Sequence, residues 1–152
     1  MRIDDTDRRL LRQLLAAPEA STAQLAAAAA MTEATCWRRL ERLRSNGILR
    51  GQHAVIDWRA LGWAVEVSLR ITLDKTDPRA FDEFTAAARK VPEVLEIQSF
   101  LGRVDIRLNV IARDMVHYQQ VYRDRILTLP HIADLEALMH LSDIKHAESP
   151  PL

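Results

Sequence analysis

Four side chains in one short stretch have the chemistry and the spacing to bind a polyanion. A helix would place on one side the residues at i, i+3, i+4 and i+7, which are Thr35, Arg38, Arg39 and Arg42. Its opposite side would carry the apolar residues of the stretch, namely Cys36, Trp37, Leu40 and Leu43. Arginine binds guanine O6 and N7 with two hydrogen bonds, and it also pairs with phosphate. The pattern therefore predicts a helix that packs on its domain through one face and offers donors to DNA through the other.

Three further residues are weaker candidates for contacts with DNA. Ser21 and Thr22 open a preceding helix, where free N–H groups and the helix dipole favour a phosphate, although simple capping explains them equally well. Arg50 follows the arginine-bearing helix beside His53, and an ordinary solvated surface pair is the alternative there. The arginine face itself could be the wet side of an amphipathic helix, so the surrounding elements have to decide.

Those elements follow one another in a recognisable order. Apolar periodicity and caps predict three helices and then two short strands around Gly51, at 4–17, from Ser21 onward, from Thr32 to about Asn46, and within 48–57. Helix, helix, tight turn, helix and hairpin make a winged helix-turn-helix, which we assign to residues 1–62. In this context the arginine-bearing helix is predicted to be the recognition helix.

Residues 63–152 are predicted to form a second domain of a different class. The period changes to two, and the elements read β-α-β followed by β-α-β, with strands at 64–73, 94–101, 104–112 and 132–142 and helices at 79–90 and 114–127. Gly102-Arg103 is predicted to be a two-residue hairpin turn. This is a ferredoxin-like βαββαβ arrangement, so the whole chain is predicted to be α+β. One sheet face would lack a cover, which favours at least a homodimer.

Composition and charge favour a cytoplasmic DNA-binding protein. The chain has no net charge, yet residues 1–62 hold ten Lys/Arg against seven Asp/Glu, so a polyanion would meet this part. The single cysteine, Cys36, excludes an intramolecular disulfide and favours a reducing compartment. No apolar segment approaches the roughly 20 residues of a membrane span, so no membrane partner is predicted.

Sequence motifs of catalysis and of cofactor binding are absent. There is no glycine-rich phosphate loop, no His-Glu-x-x-His and no Cys-x-x-Cys. His140, Asp143 and His146 could in principle hold a metal, but exposed polar residues at the exit of the last strand are the favoured interpretation. The three tryptophans are interpreted as core or interface residues; they are Trp37, Trp58 and Trp63. We predict no cofactor, no metal and no enzymatic activity.

Several stretches, in the same order, resemble the leucine-responsive regulatory protein/asparagine-regulator (Lrp/AsnC) family. They are Ile3 to Leu11, Cys36 to Leu43, Gly47-Ile48-Leu49, Gly102-Arg103-Val104-Asp105 and Arg125 to Pro130, and together they span almost the whole chain. The resemblance implies DNA-binding regulators that form dimers, often assembled into octamers, and that respond to an amino acid or a related metabolite. Two positions differ from the family pattern. Ala30 stands where the family usually has Gly before the recognition helix, and Gly-Arg-Val-Asp replaces the usual Gly-Asp-Tyr-Asp of the sensing loop.

The resemblance places the effector pocket at this loop, at a subunit interface. The candidate effector residues are Ser99, Leu101, Gly102, Arg103, Asp105, Asp134 and Leu135. Arg103 stands where the family has an acid, so we predict an effector with a carboxylate that the guanidinium binds; an exposed turn residue is the alternative. Asp105 could accept an α-ammonium group or hold the loop.

We therefore predict a transcription regulator that binds specific DNA and responds to an amino acid or a related metabolite. An architectural DNA-wrapping protein with little effector dependence is an alternative. Sirohaem decarboxylases resemble the same two-part architecture, so an enzyme of that kind is a second, less favoured alternative.

Overall fold

The computed structural model describes residues 2–145 and residue 151. The chain divides into two compact units, between Val55 and Ile56 and again between Asp143 and Ile144. The first division lies before the boundary that we predicted after residue 62. The reason is that residues 58–62 form a turn of the second unit, in which Arg59 Nη2 lies 3.2 Å from His140 Nδ1.

The first unit, which we call the N-terminal unit, contains the three predicted helices. They are α1 (Asp5–Ala16), α2 (Thr22–Ala28) and α3 (Glu33–Ser45). Each begins after a capping side chain that accepts a hydrogen bond from a backbone N–H of the first turn, and the caps are Asp4, Ser21 and Thr32. Leucines from all three helices, together with Cys36, form the buried core. Cys36 is fully buried in this core, and its burial raises the pKa of the thiol.

The turn between α2 and α3 contains a backbone conformation that alanine disfavours. Ala30 has φ +53°, in the left-handed region where glycine has no penalty. Met31 N donates to Ala26 O at 2.9 Å and closes the turn. Ala30, which stands where the family usually has Gly, therefore places a residue with a Cβ in the conformation for which glycine is the usual choice.

The wing that we predicted within 48–57 is wrong as a β-hairpin. Between α3 and Val65 the structure has no strand in this fully described segment. An isolated two-stranded hairpin is marginal in water unless a third strand or a helix supports it. Here Gln52 instead donates its side-chain amide to Pro18 O at 2.7 Å.

The second unit, the C-terminal unit, has the predicted βαββαβ order. Its elements are β1 (Val65–Leu73), α4 (Ala80–Ala88), β2 (Val94–Ser99), β3 (Ile106–Ala112), α5 (Met115–Val121) with a π-helical turn (Tyr122–Ile126), and β4 (Ile132–Met139). The sheet order is β2-β3-β1-β4, and every neighbouring pair is antiparallel. This is the order of a ferredoxin-like sheet. Phe84 and Ala88 face the core, whereas Phe81 is 45% exposed, because the buried side of α4 contains Ala80, Phe84 and Ala88.

The two faces of the sheet differ in character. Val67, Leu69 and Ile71 of β1 are buried under the helices, whereas the alternate residues of β1 point to the other side. That other side, the open face, has ion pairs between Arg70 and Glu136 and between Arg107 and Glu96. None of the described helices is long and apolar enough to cross a membrane.

The connection between β2 and β3 is longer than the predicted two-residue turn. β2 ends at Ser99 and β3 begins at Ile106, so residues 100–105 form a loop. Phe100 N donates to Asp105 O at 2.9 Å and closes it. We predicted the shorter turn because residues 104 and 105 continue the apolar–polar alternation of β3. In the structure Asp105 N donates to Ile71 O, but Asp105 lies outside the paired residues of β1 and β3.

Candidate DNA-binding and effector sites

Two arginines of α3 are held by carboxylates at the start of α1. Arg39 Nη1 donates to Asp4 Oδ2 at 2.9 Å and to Asp7 Oδ1 at 2.7 Å. Arg42 Nη2 donates to Asp7 Oδ1 and Oδ2 at 2.8 and 2.7 Å. Asp7 is fully buried, and its carboxylate also accepts the Asp4 N–H. We call these four residues the acid–arginine clamp, because they join α1 to α3.

The contacts of the clamp also shift the pKa values of Asp4 and Arg39. The Arg39 guanidinium holds the pKa of the Asp4 carboxyl at about 2, below the usual 3.8. In return, hydrogen bonds from Arg39 to Asp4 and Asp7 raise the pKa of Arg39. Asp4 and Arg39 therefore both carry their charges at neutral pH.

This geometry corrects part of the predicted DNA face. We expected Arg39 and Arg42 to face away from the core and to offer free donors, and this expectation about their surroundings is wrong. They lie on the flank of α3 next to its buried side, within reach of α1, and the Arg39 side chain is only 22% exposed. The sequence contains a signal that we did not use, since Asp4 and Asp7 have the spacing of a capping box with two acids.

The face of α3 that points away from the core lies around Arg38. Its guanidinium is exposed and has no hydrogen-bond or ion-pair partner in the part of the chain that the structure describes. Trp37, next to it, is 60% exposed, so of our two interpretations, core or interface, the structure contradicts the core for this residue. Trp37 is rotated by about 100° from the buried Cys36 and by about 60° from the buried Leu40, which places it at the edge of the core-facing side of α3.

The remaining DNA candidates have smaller roles in the structure. The Ser21 hydroxyl accepts Gln24 N–H at 3.3 Å, so Ser21 caps α2. Thr22 is half-buried in the first turn of α2, and Thr35 accepts a hydrogen bond from the Thr32 hydroxyl at 2.9 Å. Arg50 is exposed and, within residues 2–145, has no side-chain partner.

In the C-terminal unit, the 100–105 loop is fixed by Asp105. Its Oδ2 accepts Leu73 N–H at 2.9 Å, and its Oδ1 lies 3.2 Å from Lys75 Nζ. The Thr72 hydroxyl donates to Arg103 O at 2.8 Å and attaches the loop a second time to β1. Of the two roles that we considered for Asp105, these contacts favour the one that holds the loop.

A cavity of about 410 Å³ lies between this loop and the open face. We call it the loop cavity, and its lining residues are Arg70, Phe100, Leu101, Gly102, Arg103, Val104 and Arg107. Three of the predicted effector residues therefore meet here, namely Leu101, Gly102 and Arg103. The Arg103 side chain is exposed and, among the described residues, has no partner.

The other four predicted effector residues, Asp105 and the three described next, do not line the loop cavity. Ser99 pairs with the buried Ile106 and lines a separate cavity beside Phe81. Leu135 pairs with Ile71 and packs against the core, because alternation places it on the helix-covered face. Asp134 lies opposite Thr72 on the open face, near the loop but outside the cavity lining.

Sequence reasoning missed two arginines of the loop cavity. Arg70 on β1 and Arg107 on β3 are direct cross-strand partners on the open face. Alternation alone places Arg70 on the face opposite the core, which is a usable signal. The pairing with Arg107 depends on the strand register, which the sequence does not state.

The residues that could in principle hold a metal lie near the end of β4. His140 Nε2 lies 3.1 Å from Asp143 Oδ1, and His146 lies outside the described residues.

The two units match different family models. A winged helix-turn-helix DNA-binding model matches residues 3–50, and the Lrp/AsnC ligand binding domain matches residues 66–150. The second match alone covers more than half of the chain. The chain belongs to the Lrp/AsnC family. The resemblance that we drew from the motifs is thereby confirmed, as is the fold class of a helix-turn-helix unit with an α+β unit.

Similar Lrp/AsnC proteins match over nearly their full length. The proline dehydrogenase transcriptional activator of Rhodobacter capsulatus is 27% identical over 99% of this chain and 97% of that protein. The DNA-binding transcriptional activator DecR of Escherichia coli is 29% identical over 99% of both chains. A transcriptional regulator of Neisseria meningitidis, solved as a complex with L-Met, has 27% identity and a TM-score of 0.89, covering 99% of this chain and 97% of the other. This Lrp/AsnC protein is a DNA-binding transcription regulator with a ligand-binding domain.

Proposed function

We propose that this Lrp/AsnC protein recognises DNA through the exposed face of α3 and that an amino acid or a related carboxylate in the loop cavity controls the regulator. It would act by binding rather than by catalysis, in the cytoplasm where its DNA target lies. The observation that carries the proposal is that Arg38 on α3 and Arg103 at the loop cavity are both exposed and have no side-chain partner among the described residues.

The DNA part of the proposal assigns different roles to the arginines of α3. Arg38 reads a base or binds a phosphate, because its donors are free and point away from the core. Arg39 and Arg42 are positioning residues, since their Nη atoms are bound to Asp4 and Asp7. Arg50 supplies a phosphate contact, which orients the protein without reading sequence.

Trp37 belongs to the same DNA-facing surface. A large apolar side chain that is 60% exposed on a recognition helix gains by contact with an apolar base edge, and the thymine methyl group is such an edge in the major groove. Trp37 would therefore add sequence preference beside Arg38.

The effector part of the proposal rests on Arg103 and on the shape of the loop. A free guanidinium at a cavity of about 410 Å³ can bind a carboxylate with two hydrogen bonds. Gly102, with φ +153°, allows a ligand to approach the backbone closely. The Neisseria regulator with bound L-Met supports an amino acid as the class of effector.

The proposed assembly is a homodimer, held through the C-terminal unit and able to associate further to an octamer. The helices α4 and α5 cover one face of the sheet, and the open face needs a second copy to cover it. In addition, Leu101 is fully exposed and Phe100 is 48% exposed, as expected for residues at a subunit contact. Sedimentation of the full chain at micromolar concentration tests this, and a monomer would contradict it.

Mapping of bound genomic DNA followed by calorimetry tests the function as a whole. Mapping identifies the operator. Titration of wild type with amino acids and organic acids then identifies the effector. The same titration of Arg103→Ala tests the role of Arg103, and Arg123→Ala is the control because its arginine lies on the π-helical turn. We expect one class of compound to bind, to change operator affinity and to bind Arg103→Ala about tenfold or more weakly. Equal affinity for both variants would remove Arg103 from the site.

A further inference from the structure

The loop cavity contains more positive charge than one carboxylate can satisfy. Three arginines line it, Arg70, Arg103 and Arg107, and none of the Asp and Glu residues that the structure describes belongs to its lining. Resting on the function proposed above, we infer that the effector of this regulator is a dicarboxylate, such as an acidic amino acid or the corresponding 2-oxo acid.

The first support is the placement of two of these arginines. Arg70 and Arg107 stand directly opposite each other on β1 and β3, on the same face of the sheet. Like charges at directly opposed positions destabilise an antiparallel pair. An anion bound between them would remove this repulsion, so the bound state gains stability from a feature that is unfavourable in the empty sheet.

The second support is the incomplete pairing of the same arginines. Arg70 Nη1 lies 3.5 Å from Glu136 Oε2, and Arg107 Nη2 lies 3.3 Å from Glu96 Oε2. Well-formed charge-assisted hydrogen bonds between arginine and carboxylate are about 2.7–2.9 Å long. Glu96 is moreover shared, because it also accepts from Gln98 Nε2 at 2.8 Å. Both arginines therefore retain donors that a ligand carboxylate can use.

The third support is that the nearest acid of the loop is already occupied. Asp105 binds Leu73 N–H and Lys75, so it does not neutralise the lining arginines. A ligand with one carboxylate would satisfy Arg103 and leave the pair on the sheet unchanged. A second carboxylate, separated by a short carbon chain, can reach Arg70 and Arg107 in a cavity of this size.

The cavity surface also distinguishes this class from a purely polar anion. Phe100, Leu101 and Val104 line the cavity beside the arginines. These side chains can pack against methylene groups, whereas inorganic phosphate has none. The combination of three cations with an apolar wall therefore favours a small organic dicarboxylate.

The test is calorimetric titration of the full chain with matched ligands. L-Glutamate and L-glutamine have the same shape but differ by one carboxylate, as do L-aspartate and L-asparagine. 2-Oxoglutarate keeps both carboxylates and lacks the ammonium group. We expect one of the dicarboxylates to bind about tenfold or more tightly than its amide, because a charge-assisted hydrogen bond replaces a neutral one. The 2-oxo acid shows whether the ammonium group is also recognised.

Variants locate the second carboxylate. Arg70→Gln and Arg107→Gln should each weaken the dicarboxylate about tenfold or more and leave the affinity of the amide nearly unchanged. Arg123→Gln is the control, since its arginine is exposed outside the cavity. Arg70→Lys, which keeps the charge and the stem, should recover part of the affinity. Thermal unfolding of each variant confirms that the sheet is intact.

The outcomes separate this inference from the proposed function. If amides or other monocarboxylate amino acids bind as tightly as the dicarboxylates, and Arg103→Ala still weakens them, the inference is overturned and the proposed function stands. If the dicarboxylates bind but both glutamine variants retain wild-type affinity, the inference is overturned as well. If none of the tested acids binds, the proposed effector function is rejected together with it.

Discussion

The arginines of α3 and the arginines of the loop cavity differ in what neutralises them. In the N-terminal unit, Arg39 and Arg42 are bound at 2.7–3.0 Å to carboxylates that include the fully buried Asp7. In the C-terminal unit, Arg70 and Arg107 have longer contacts to half-exposed acids, and Arg103 has no partner among the described residues. A cluster of arginines therefore serves the fold in one unit and is available to a ligand in the other.

The comparison also shows how a single unpaired arginine can be recognised. Arg38 is the next residue to Arg39, yet a rotation of about 100° places it on the outer side of α3, beyond the reach of α1. Its neighbours are neutralised by the acid–arginine clamp. Fewer side chains of α3 are therefore free to contact DNA than the spacing suggested.

Removal of Asp7 should give the largest effect. Asp7→Ala leaves Arg42 and the Asp4 N–H without their acceptor and leaves Arg39 with Asp4 alone, so we expect the free energy of unfolding to fall by about 2–4 kcal/mol. Hydrogen exchange of the amides of α1 and α3 in the full chain measures this loss. The control is Asp5→Ala, which removes an exposed acid of the same helix. Equal protection in both variants would show that the clamp does not hold α3.

Substitution of two neighbouring arginines should distinguish an effect on DNA binding from an effect on the stability of the fold. Arg38→Ala should weaken binding to the mapped operator by about 1–3 kcal/mol, because a base or phosphate contact is lost, and should leave thermal unfolding unchanged. Arg39→Ala should lower the unfolding temperature as well, since it breaks the bonds to Asp4 and Asp7. Fluorescence anisotropy at fixed salt measures the first effect. Wild-type operator binding by Arg38→Ala would return α3 to the interpretation of a solvated face.

A smaller and opposite effect is expected at the turn before α3. Ala30→Gly should stabilise the N-terminal unit by about 0.5–1 kcal/mol, because glycine adopts the φ of +53° without steric cost while its unfolded state is more flexible. Ala27→Gly is the matched control, since Ala27 lies inside α2 and its replacement should destabilise the unit by about 1 kcal/mol. Chemical unfolding of both variants decides, and a loss of stability at position 30 would contradict the strain assigned to it.

The smallest effect concerns the pH dependence of the clamp. Asp4 has a pKa of about 2 in the folded protein against 3.8 ordinarily, so its contribution to stability is present above about pH 4 and is lost as the pH falls towards 2. Asp4→Asn keeps a capping side chain but removes this titration. Thermal unfolding of the variant should therefore depend less on pH in that window than that of wild type or Asp5→Asn. Identical slopes for all three proteins would exclude Asp4 as a source of the acid sensitivity.

Much of the fold was accessible from the sequence, and less of the candidate sites was. The starts of the helices near residue 4, at Ser21 and at Thr32, the alternation of β1 and the βαββαβ order were predicted and are confirmed. The predictions of free donors on Arg39, of a core position for Trp37 and of a β-hairpin within 48–57 were wrong. The correct predictions depend on residues a few positions apart, whereas the wrong ones depend on packing partners elsewhere in the chain.

The sequence by itself determined the elements, the family and the chemical types of the site residues, because helix and strand periods and capping patterns are local properties of the chain. Only the tertiary structure decided which charges are free. Arg39 and Arg42 meet Asp7 across more than thirty residues of sequence, and Arg70 meets Arg107 through the register of β1 and β3. Such pairings depend on how whole elements pack. For this reason the arginines of α3 join two helices, whereas the arginines of the C-terminal unit line a cavity.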